Sequence, residues 1–102
     1  MATFQILSWH GIPTGVKAKD KHEEKRENLP LRFQAAVDAA ATATGNIGTQ
    51  AYLAGWQWSK PIEREGTAVE VARAISTEIE NSFTADKVKS LRQEIEARLN
   101  AA

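Results

Sequence analysis

The first apolar segment of the chain has an extended pattern with apolar side chains on both of its sides. Within residues 3–10, Phe4 and Ile6 point one way, and Leu7 and Trp9 point the other. A strand that is apolar on both faces is more often central than peripheral in a sheet. We therefore predict that this strand is the centre of the fold.

A chain reversal follows this strand, because Gly11, Pro13 and Gly15 supply turn-forming residues. Proline fixes φ, and glycine tolerates a positive φ. The alternation of apolar and basic residues over 16–19 then predicts a short second strand, antiparallel to the first. Its two lysines favour an edge position, where charge discourages pairing with another chain.

Residues 17–28, KAKDKHEEKREN, form a run of mixed charge. Such a run is typical of a solvated loop, and we predict a loop here. The alternative is that the run is a docking surface for a partner.

A helix rich in alanine is predicted after the charged run. Asn28 is the predicted N-cap, with Pro30 in the first turn, and Gly45 with Asn46 is the predicted end. The apolar positions recur at helical spacing and predict the buried side. They are Leu29, Phe33, Ala36, Val37 and Ala40.

The segment QAYLAGWQW, residues 50–58, has the alternation of a third strand. Tyr52, Ala54, Trp56 and Trp58 share one face at period two. Proline at position 61 then ends the strand. Residues 63–66 are predicted to be a polar connection.

Two amphipathic helices are predicted in the last third of the chain. Thr67 and Glu70 match the capping-box pattern at the start of the first, which ends near Asn81. Thr84 is the predicted N-cap of the second, and Glu94 with Arg98 makes an i,i+4 pair on its outer side. The predicted buried stripes are Ala68, Val71, Ala72, Ile75 and Ile79 in the first helix, and Val88, Leu91, Ile95 and Leu99 in the second.

The order strand, strand, helix, strand, helix, helix predicts a single α+β domain over residues 1–102. A hairpin makes the first two strands antiparallel, and a right-handed crossover makes the third parallel to the second. Placing the third strand beside the first gives a three-stranded antiparallel sheet in the order 2-1-3. Helices would cover one face to form two layers, and the helix within residues 83–102 could protrude.

Composition and charge narrow the class of protein. The chain has 13 basic and 13 acidic residues and a formal charge of zero, which argues against a general nucleic-acid binder. It has no cysteine, which excludes disulfides, iron–sulfur clusters and thiolate catalysis. It shows no export signal and no apolar run long enough to cross a bilayer. We expect a cytoplasmic protein without membrane insertion.

The candidate chemical groups do not form a catalytic or metal-binding motif. His10 ends the central strand and could titrate near neutrality, but no Ser or Cys nucleophile pattern accompanies it. His22 lacks further metal ligands at a firm spacing. The six glycines do not form a phosphate-binding loop. We therefore predict a protein that is not an enzyme and that has no cofactor or metal.

The three tryptophans are the most informative side chains. Core packing is one explanation for them, and a surface buried on association is the other, since aromatic residues are enriched in interface hot spots. A sheet with helices on one side leaves its other face exposed, and we expect Leu7 and Trp9 on that face. A homodimer or a larger partner would cover it.

Several segments together carry a family resemblance: WHGIPTGVKAKD, LPLRFQAAVDAAATATG, AYLAGWQW, EVARAISTEIE and KVKSLRQEI. The chain resembles the small bacterial virulence factor domain, a family named for conserved virulence factor C. The resemblance implies a short stand-alone protein, or a terminal domain of a helical-repeat scaffold, that acts as an interaction module without established catalytic residues. The matching positions are Trp9, Ile12, Pro13, Arg32, Phe33, Ala36, Val37, Asp38, Tyr52, Leu53 and Trp56.

These observations predict a non-catalytic protein-interaction module or accessory subunit of a larger bacterial complex. It would bind a protein partner or a second copy of itself, and we do not expect nucleic acid as a partner. The alternative is a small-molecule-binding protein or enzyme small subunit, with a pocket near His10 that includes Trp9 and Lys17. The candidate interaction residues are Trp9, His10, Ile12, Pro13, Tyr52, Trp56 and Trp58.

Overall fold

A computed structural model of the protein describes residues 1–45 and 48–100. Within these residues it has an antiparallel sheet covered by helices, so the predicted α+β class is confirmed. The strands are β1 (Ala2–Trp9), β2 (Ile12–Lys19), β3 (Glu24–Asn28), β4 (Trp56–Trp58) and β5 (Ile62–Arg64). The helices are α1 (Leu31–Ala43), α2 (Gln50–Ala54), α3 (Ala68–Ser82) and α4 (Ala85–Asn100).

Strand β1 is the central strand, as predicted. It pairs antiparallel with β2 on one side and with β4 and β5 on the other. The predicted neighbours of the first strand are therefore confirmed, whereas the predicted count of three strands is wrong. The sheet has the order β3-β2-β1-β4, with β5 also paired to β1.

The additional strand β3 comes from the charged run, where the prediction of a loop was wrong. Its backbone pairs antiparallel with β2 from Gly15↔Asn28 to Lys19↔Glu24. Strand pairing uses backbone groups, so charged side chains can stand in solvent on a sheet edge and discourage aggregation there. Strand β2 is consequently internal, and the edge role predicted for it belongs to β3.

Strands β4 and β5 are one interrupted strand along β1. Leu7 pairs with Trp58, and Phe4 pairs with Ile62. The paired positions are three residues apart along β1 but four residues apart along the partner segment, so the register shifts by one residue between β4 and β5. Ser59 bridges the irregularity: its N–H donates to the Ile6 carbonyl, and its hydroxyl accepts from the Ile6 N–H, both at 2.8 Å. The polar connection predicted over residues 63–66 is thus partly strand.

The reversal between β1 and β2 is tighter than predicted. His10 and Gly11 are its two central residues, with φ of 48° and 97°. Positive φ at both positions is the mark of a type I′ turn, whose twist matches that of the flanking strands. Pro13 and Gly15 lie inside β2, next to the register shift opposite Leu7, and β2 begins at Ile12 instead of Val16.

The predicted third strand is only partly extended, because residues 50–54 form helix α2. The Thr49 hydroxyl accepts a hydrogen bond from the Tyr52 N–H at its start. At its end the Tyr52 carbonyl accepts from the Trp9 indole N–H at 2.9 Å, and the Gly55 carbonyl accepts from the His10 N–H at 3.3 Å. These contacts fix helix α2 against the hairpin. They join residues far apart in the sequence, so the alternation within residues 50–58 could not indicate them.

The longer helices bury most of the predicted stripes, with Leu91 and Leu99 only half-buried and with small errors at the helix ends. Helix α1 has Pro30 as its N-cap, because Asn28 belongs to β3. Gly45 follows the helix with φ of 71°, whereas Asn46 lies outside the described residues. The capping box of Thr67 and Glu70 is confirmed. The buried stripe residues are Leu29, Phe33, Ala36, Val37, Ala40, Ala68, Val71, Ala72, Ile75, Ile79, Val88 and Ile95.

Helix α4 packs against α1 and buries Val88 and Ile95. In the described part of the chain, its i,i+4 ion pair joins Arg92 to Glu96 at 2.7 Å. Glu94 and Arg98, the predicted pair, lie on the exposed side of the helix and form no ion pair among the described residues.

Asp20 joins the turn between β2 and β3 to the start of α3. One carboxylate oxygen accepts from the Ala68 N–H at 2.8 Å, and the other accepts from the N–H groups of His22 and Glu23 at 2.7 and 2.9 Å. These hydrogen bonds, led by that from Ala68, lower the pKa of Asp20 to about 2. The turn therefore caps a helix 48 residues further along the chain.

Replacing Asp20 tests this link through the pH dependence of stability. Because the folded pKa lies below the ordinary value of 3.8, the unfolded chain binds more protons in this range. The stabilisation is therefore present above pH 3.8 and lost as the pH falls towards 2. We expect Asp20→Asn to lower the melting temperature at neutral pH and to flatten its acid dependence in thermal melts across this pH range.

Glu23→Gln is the matched control, because it removes a carboxylate side chain from the same turn without removing these hydrogen bonds. If Glu23→Gln and Asp20→Asn had the same effect, the acid dependence would come from general charge and not from the Asp20 cap.

A methyl group at Gly55 tests the contact between α2 and the hairpin. Gly55 has φ of −74°, which suits alanine, but an added Cβ would lie 2.5 Å from the Trp9 indole nitrogen. We expect Gly55→Ala to destabilise the fold by about 1–3 kcal/mol through overpacking, measured by urea unfolding. Ala54→Ser, on the exposed neighbour, should change stability by less than about 0.5 kcal/mol. Equal stability of Gly55→Ala and the unchanged protein would contradict the described contact.

Candidate protein-interaction surface

The two faces of the sheet can be told apart by an ion pair to α3. Arg64 pairs with Ala2 across the sheet, and its guanidinium contacts the Glu78 carboxylate of α3 at 2.7 Å. Phe4 and Val16 lie on this same face and are buried with the apolar side of α3. The residues that alternate with them point to the opposite face.

The opposite face is accessible, and we call it the open face. It is defined by Gln5, Leu7, Lys17, Arg26 and Trp58, which cross-strand pairing places side by side. Arg26 is exposed, Trp58 is 39% exposed, and the other three are half-buried. An accessible face with a large aromatic side chain is the surface that we expected a partner to cover.

Trp58 is held in place on the open face by two cations. The Lys17 ammonium lies 4.3 Å from the centre of the indole ring, and the Arg26 guanidinium lies 5.9 Å from it. A cation over an exposed ring contributes about 0.5–1 kcal/mol. The ring is therefore oriented by neighbouring side chains, while part of it stays in contact with solvent.

An apolar groove continues the open face towards the hairpin end of the sheet. Leu7, Gly15, Leu31 and Trp56 are among the residues that line it. Leu31, the first residue of α1, is 85% exposed. We name Leu7, Leu31, Trp56 and Trp58 the Trp58 patch, which joins large apolar side chains from β1, α1 and β4.

Leu31 and the cations were not among the predicted interaction residues. Leu31 falls outside the helical spacing of the buried Leu29 and Phe33, so its exposure could have been predicted from that spacing. The position of Arg26 could not, because it depends on the pairing of β3 with β2.

Three of the seven predicted interaction residues are buried. Trp9 and Ile12 are fully buried and pair with each other beside the turn, and Pro13 follows in β2. The Trp9 indole N–H is already bonded to the Tyr52 carbonyl. These side chains cannot contact a partner in this conformation, and they belong to the core that supports the surface.

Tyr52 and Trp56 connect this core to the Trp58 patch. The Tyr52 ring lies 6.0 Å from the Trp9 ring and 6.0 Å from the Trp56 ring, in an edge arrangement with the latter. Both side chains are half-buried. Of the seven predicted residues, Trp56 and Trp58 therefore belong to the patch, and Tyr52 supports it.

His10 lies apart from the open face, in a small polar cavity. Ser8, Gln57 and Arg98 line the cavity with it, and the imidazole packs edge-on against Trp9 at 4.5 Å. Burial, and then the nearby Arg98 charge, lower the pKa of His10. Lys17 lies over Trp58 instead, so the structure does not bring it together with His10.

Metal ligands do not converge in the described residues. Searched across residues 1–45 and 48–100, the side chains of His, Cys, Asp and Glu form no group of three that could hold a metal ion. In the same residues no helix is long and apolar enough to cross a membrane.

The fold and the open face define a small α+β domain with an uncovered sheet surface. Comparison with protein families identifies the family of this domain. The Virulence factor family matches residues 7–91, and the chain belongs to that family. The resemblance stated from the sequence is thereby confirmed. The matched range contains the whole Trp58 patch. No curated protein and no solved structure matches the chain.

Tryptophan fluorescence tests the assignment of the three rings. Trp9 is fully buried and Trp58 is accessible, so acrylamide should quench Trp58 before Trp9. We expect Trp58→Phe to remove most of the easily quenched emission while the urea midpoint changes little, because the side chain is on the surface. Trp9→Phe should remove the protected emission and strongly lower the urea midpoint. An unchanged quenching curve in Trp58→Phe would contradict the described exposure.

Proposed function

We propose that the protein is a non-catalytic protein-interaction module, or an accessory subunit of a larger complex, and that it binds its partner through the open face. The observation that carries the proposal is the Trp58 patch, in which Leu31 is 85% and Trp58 is 39% exposed. Contiguous exposed apolar side chains on a folded domain mark interaction sites. Tryptophan and arginine, which flank each other here, are the residue types enriched in hot spots.

The rigidity of the surface supports binding. Leu7, Trp56 and Trp58 are carried by paired strands, and Trp58 is oriented by Lys17 before binding. A partner therefore has few side chains to immobilise on this domain. Because ordering of side chains is one of the main costs of association, a preorganised patch favours affinity.

A small-molecule site near His10 is the second candidate. Its support is the convergence of His10, Ser8, Gln57 and Arg98 in one cavity. The support is weaker than for the open face, because the cavity has a mainly polar lining and the aromatic ring beside it, Trp9, is buried. Crosslinking from defined surface positions separates the two candidates.

We expect a photoreactive benzophenone amino acid at Leu31 or Lys19 to crosslink the protein to a defined partner in its native cells. Both positions are exposed, one beside the groove and one on the open-face side of β2. The same group at Thr77, exposed on α3, is the matched control and should give no such product. Thermal melts establish that each variant is folded.

Combining Trp58→Ala with the photoreactive amino acid in place of Leu31 should abolish the crosslinked product, because the substitution removes a side chain of the Trp58 patch that contacts the partner. Equal products from Thr77 and Leu31, or products from Leu31 that do not depend on Trp58, would contradict the assignment of the open face. The absence of any product from both open-face positions would also count against it.

A further inference from the structure

We infer that the partner contributes an acidic segment with apolar anchors. In this arrangement its apolar side chains occupy the groove beside Leu7, Leu31 and Trp56, and its carboxylates lie against the cations at the groove's border. The inference rests on the proposed function and adds the chemistry of the partner to it.

The cations of the open face are available to a new carboxylate. The Lys17 ammonium lies over the Trp58 ring, and within the described residues Lys17 and Lys19 form no ion pair with an acid. Arg26 contacts Glu24 at 3.5 Å, but both side chains are largely exposed, at 69% and 42%. Exposed pairs of this kind contribute little to stability, so a partner's carboxylate can replace Glu24 at low cost.

The pairing of the strands sets the spacing between the cations and the groove. Lys17 and Arg26 are direct cross-strand partners, so their Cβ atoms lie about 4.5–5.5 Å apart. Gly15, which lines the groove, is two residues from Lys17 along β2, a distance of about 7 Å. An extended partner segment would therefore match this surface with an acidic residue about two positions from an apolar anchor.

A second copy of this chain matches the surface less well. A two-fold symmetric contact brings the same patch of both copies together. Centred on Trp58, it would bring Lys17 and Arg26 of one copy towards those of the other. The same face carries one more basic than acidic side chain, from Lys17, Lys19 and Arg26 against Glu24 and Glu63. Repulsion between like charges favours an acidic partner over a second copy.

Selection of peptides from a random phage-displayed library on the immobilised full chain tests this inference. We expect the enriched peptides to combine acidic residues with Leu, Phe or Trp, and to lose binding to Trp58→Ala. Synthetic versions should bind about tenfold more weakly to Arg26→Glu, a loss equivalent to about 1.4 kcal/mol. The loss should shrink in high salt, because screening weakens exposed charges.

Lys25→Glu is the matched control for Arg26→Glu. Lys25 is exposed on the same strand but pairs with Ala18, whose side chain faces α3, so it points away from the open face. Both variants change the net charge equally, and thermal melts establish that both are folded. Lys17→Gln, which removes the charge over Trp58 without adding an acid, should also weaken binding.

The outcomes separate this inference from the proposed function. Enrichment of neutral or basic peptides, or equal losses in Lys25→Glu and Arg26→Glu, would overturn the acidic partner, while the Leu31 crosslinks could still support the open face. Crosslinks from Leu31 to another copy of the chain would replace the acidic partner with a homodimer. Failure to enrich any peptide whose binding depends on Trp58 would also count against the inference.

Discussion

The packing of Trp9 against helix α2 is the contact on which the rest of the structure depends. Its indole lies fully buried against the Gly55 backbone and donates its N–H to the Tyr52 carbonyl, 43 residues away. The adjacent His10 N–H donates to the Gly55 carbonyl, so the hairpin turn is fixed to the same segment. A buried indole N–H needs a hydrogen-bond acceptor. Because the acceptor here is a carbonyl of α2, this hydrogen bond fixes the position of α2 against β1.

This contact also determines which tryptophans are available on the surface. With Gly55 fixed at the turn, the next residues enter the sheet beside β1, and Trp58 is brought opposite Leu7 on the face away from α3. Lys17 from β2 then lies over its ring. Trp9 and Trp58 thus have different roles. Trp9, which is fully buried, fixes the position of β4, and β4 places Trp58 on the accessible face of the sheet.

The sequence predicted the central strand, the helices and their buried sides because those elements have strong local periodicity. It did not predict β3, since a strand of charged residues has no apolar alternation and is formed by pairing with β2. It did not predict α2 either, because QAYLAGWQW has the period of a strand, and the helical conformation depends on Trp9. The open face was expected from the one-sided helical cover. Its composition was only partly predictable: the exposure of Leu31 follows from helical spacing, whereas Arg26 reaches the face through the pairing of β3 with β2.

We expect a partner to bind the open face and to leave the Trp9 core intact. Two-dimensional ¹H–¹⁵N NMR of the isotope-labelled chain tests it directly, because each tryptophan gives one indole N–H signal. On adding the crosslinked partner in purified form, the signals of Trp58 and Trp56 should shift, whereas that of Trp9, bonded to the Tyr52 carbonyl, should stay in place. Shifts confined to α3 and α4, with the Trp58 signal unchanged, would contradict the claim.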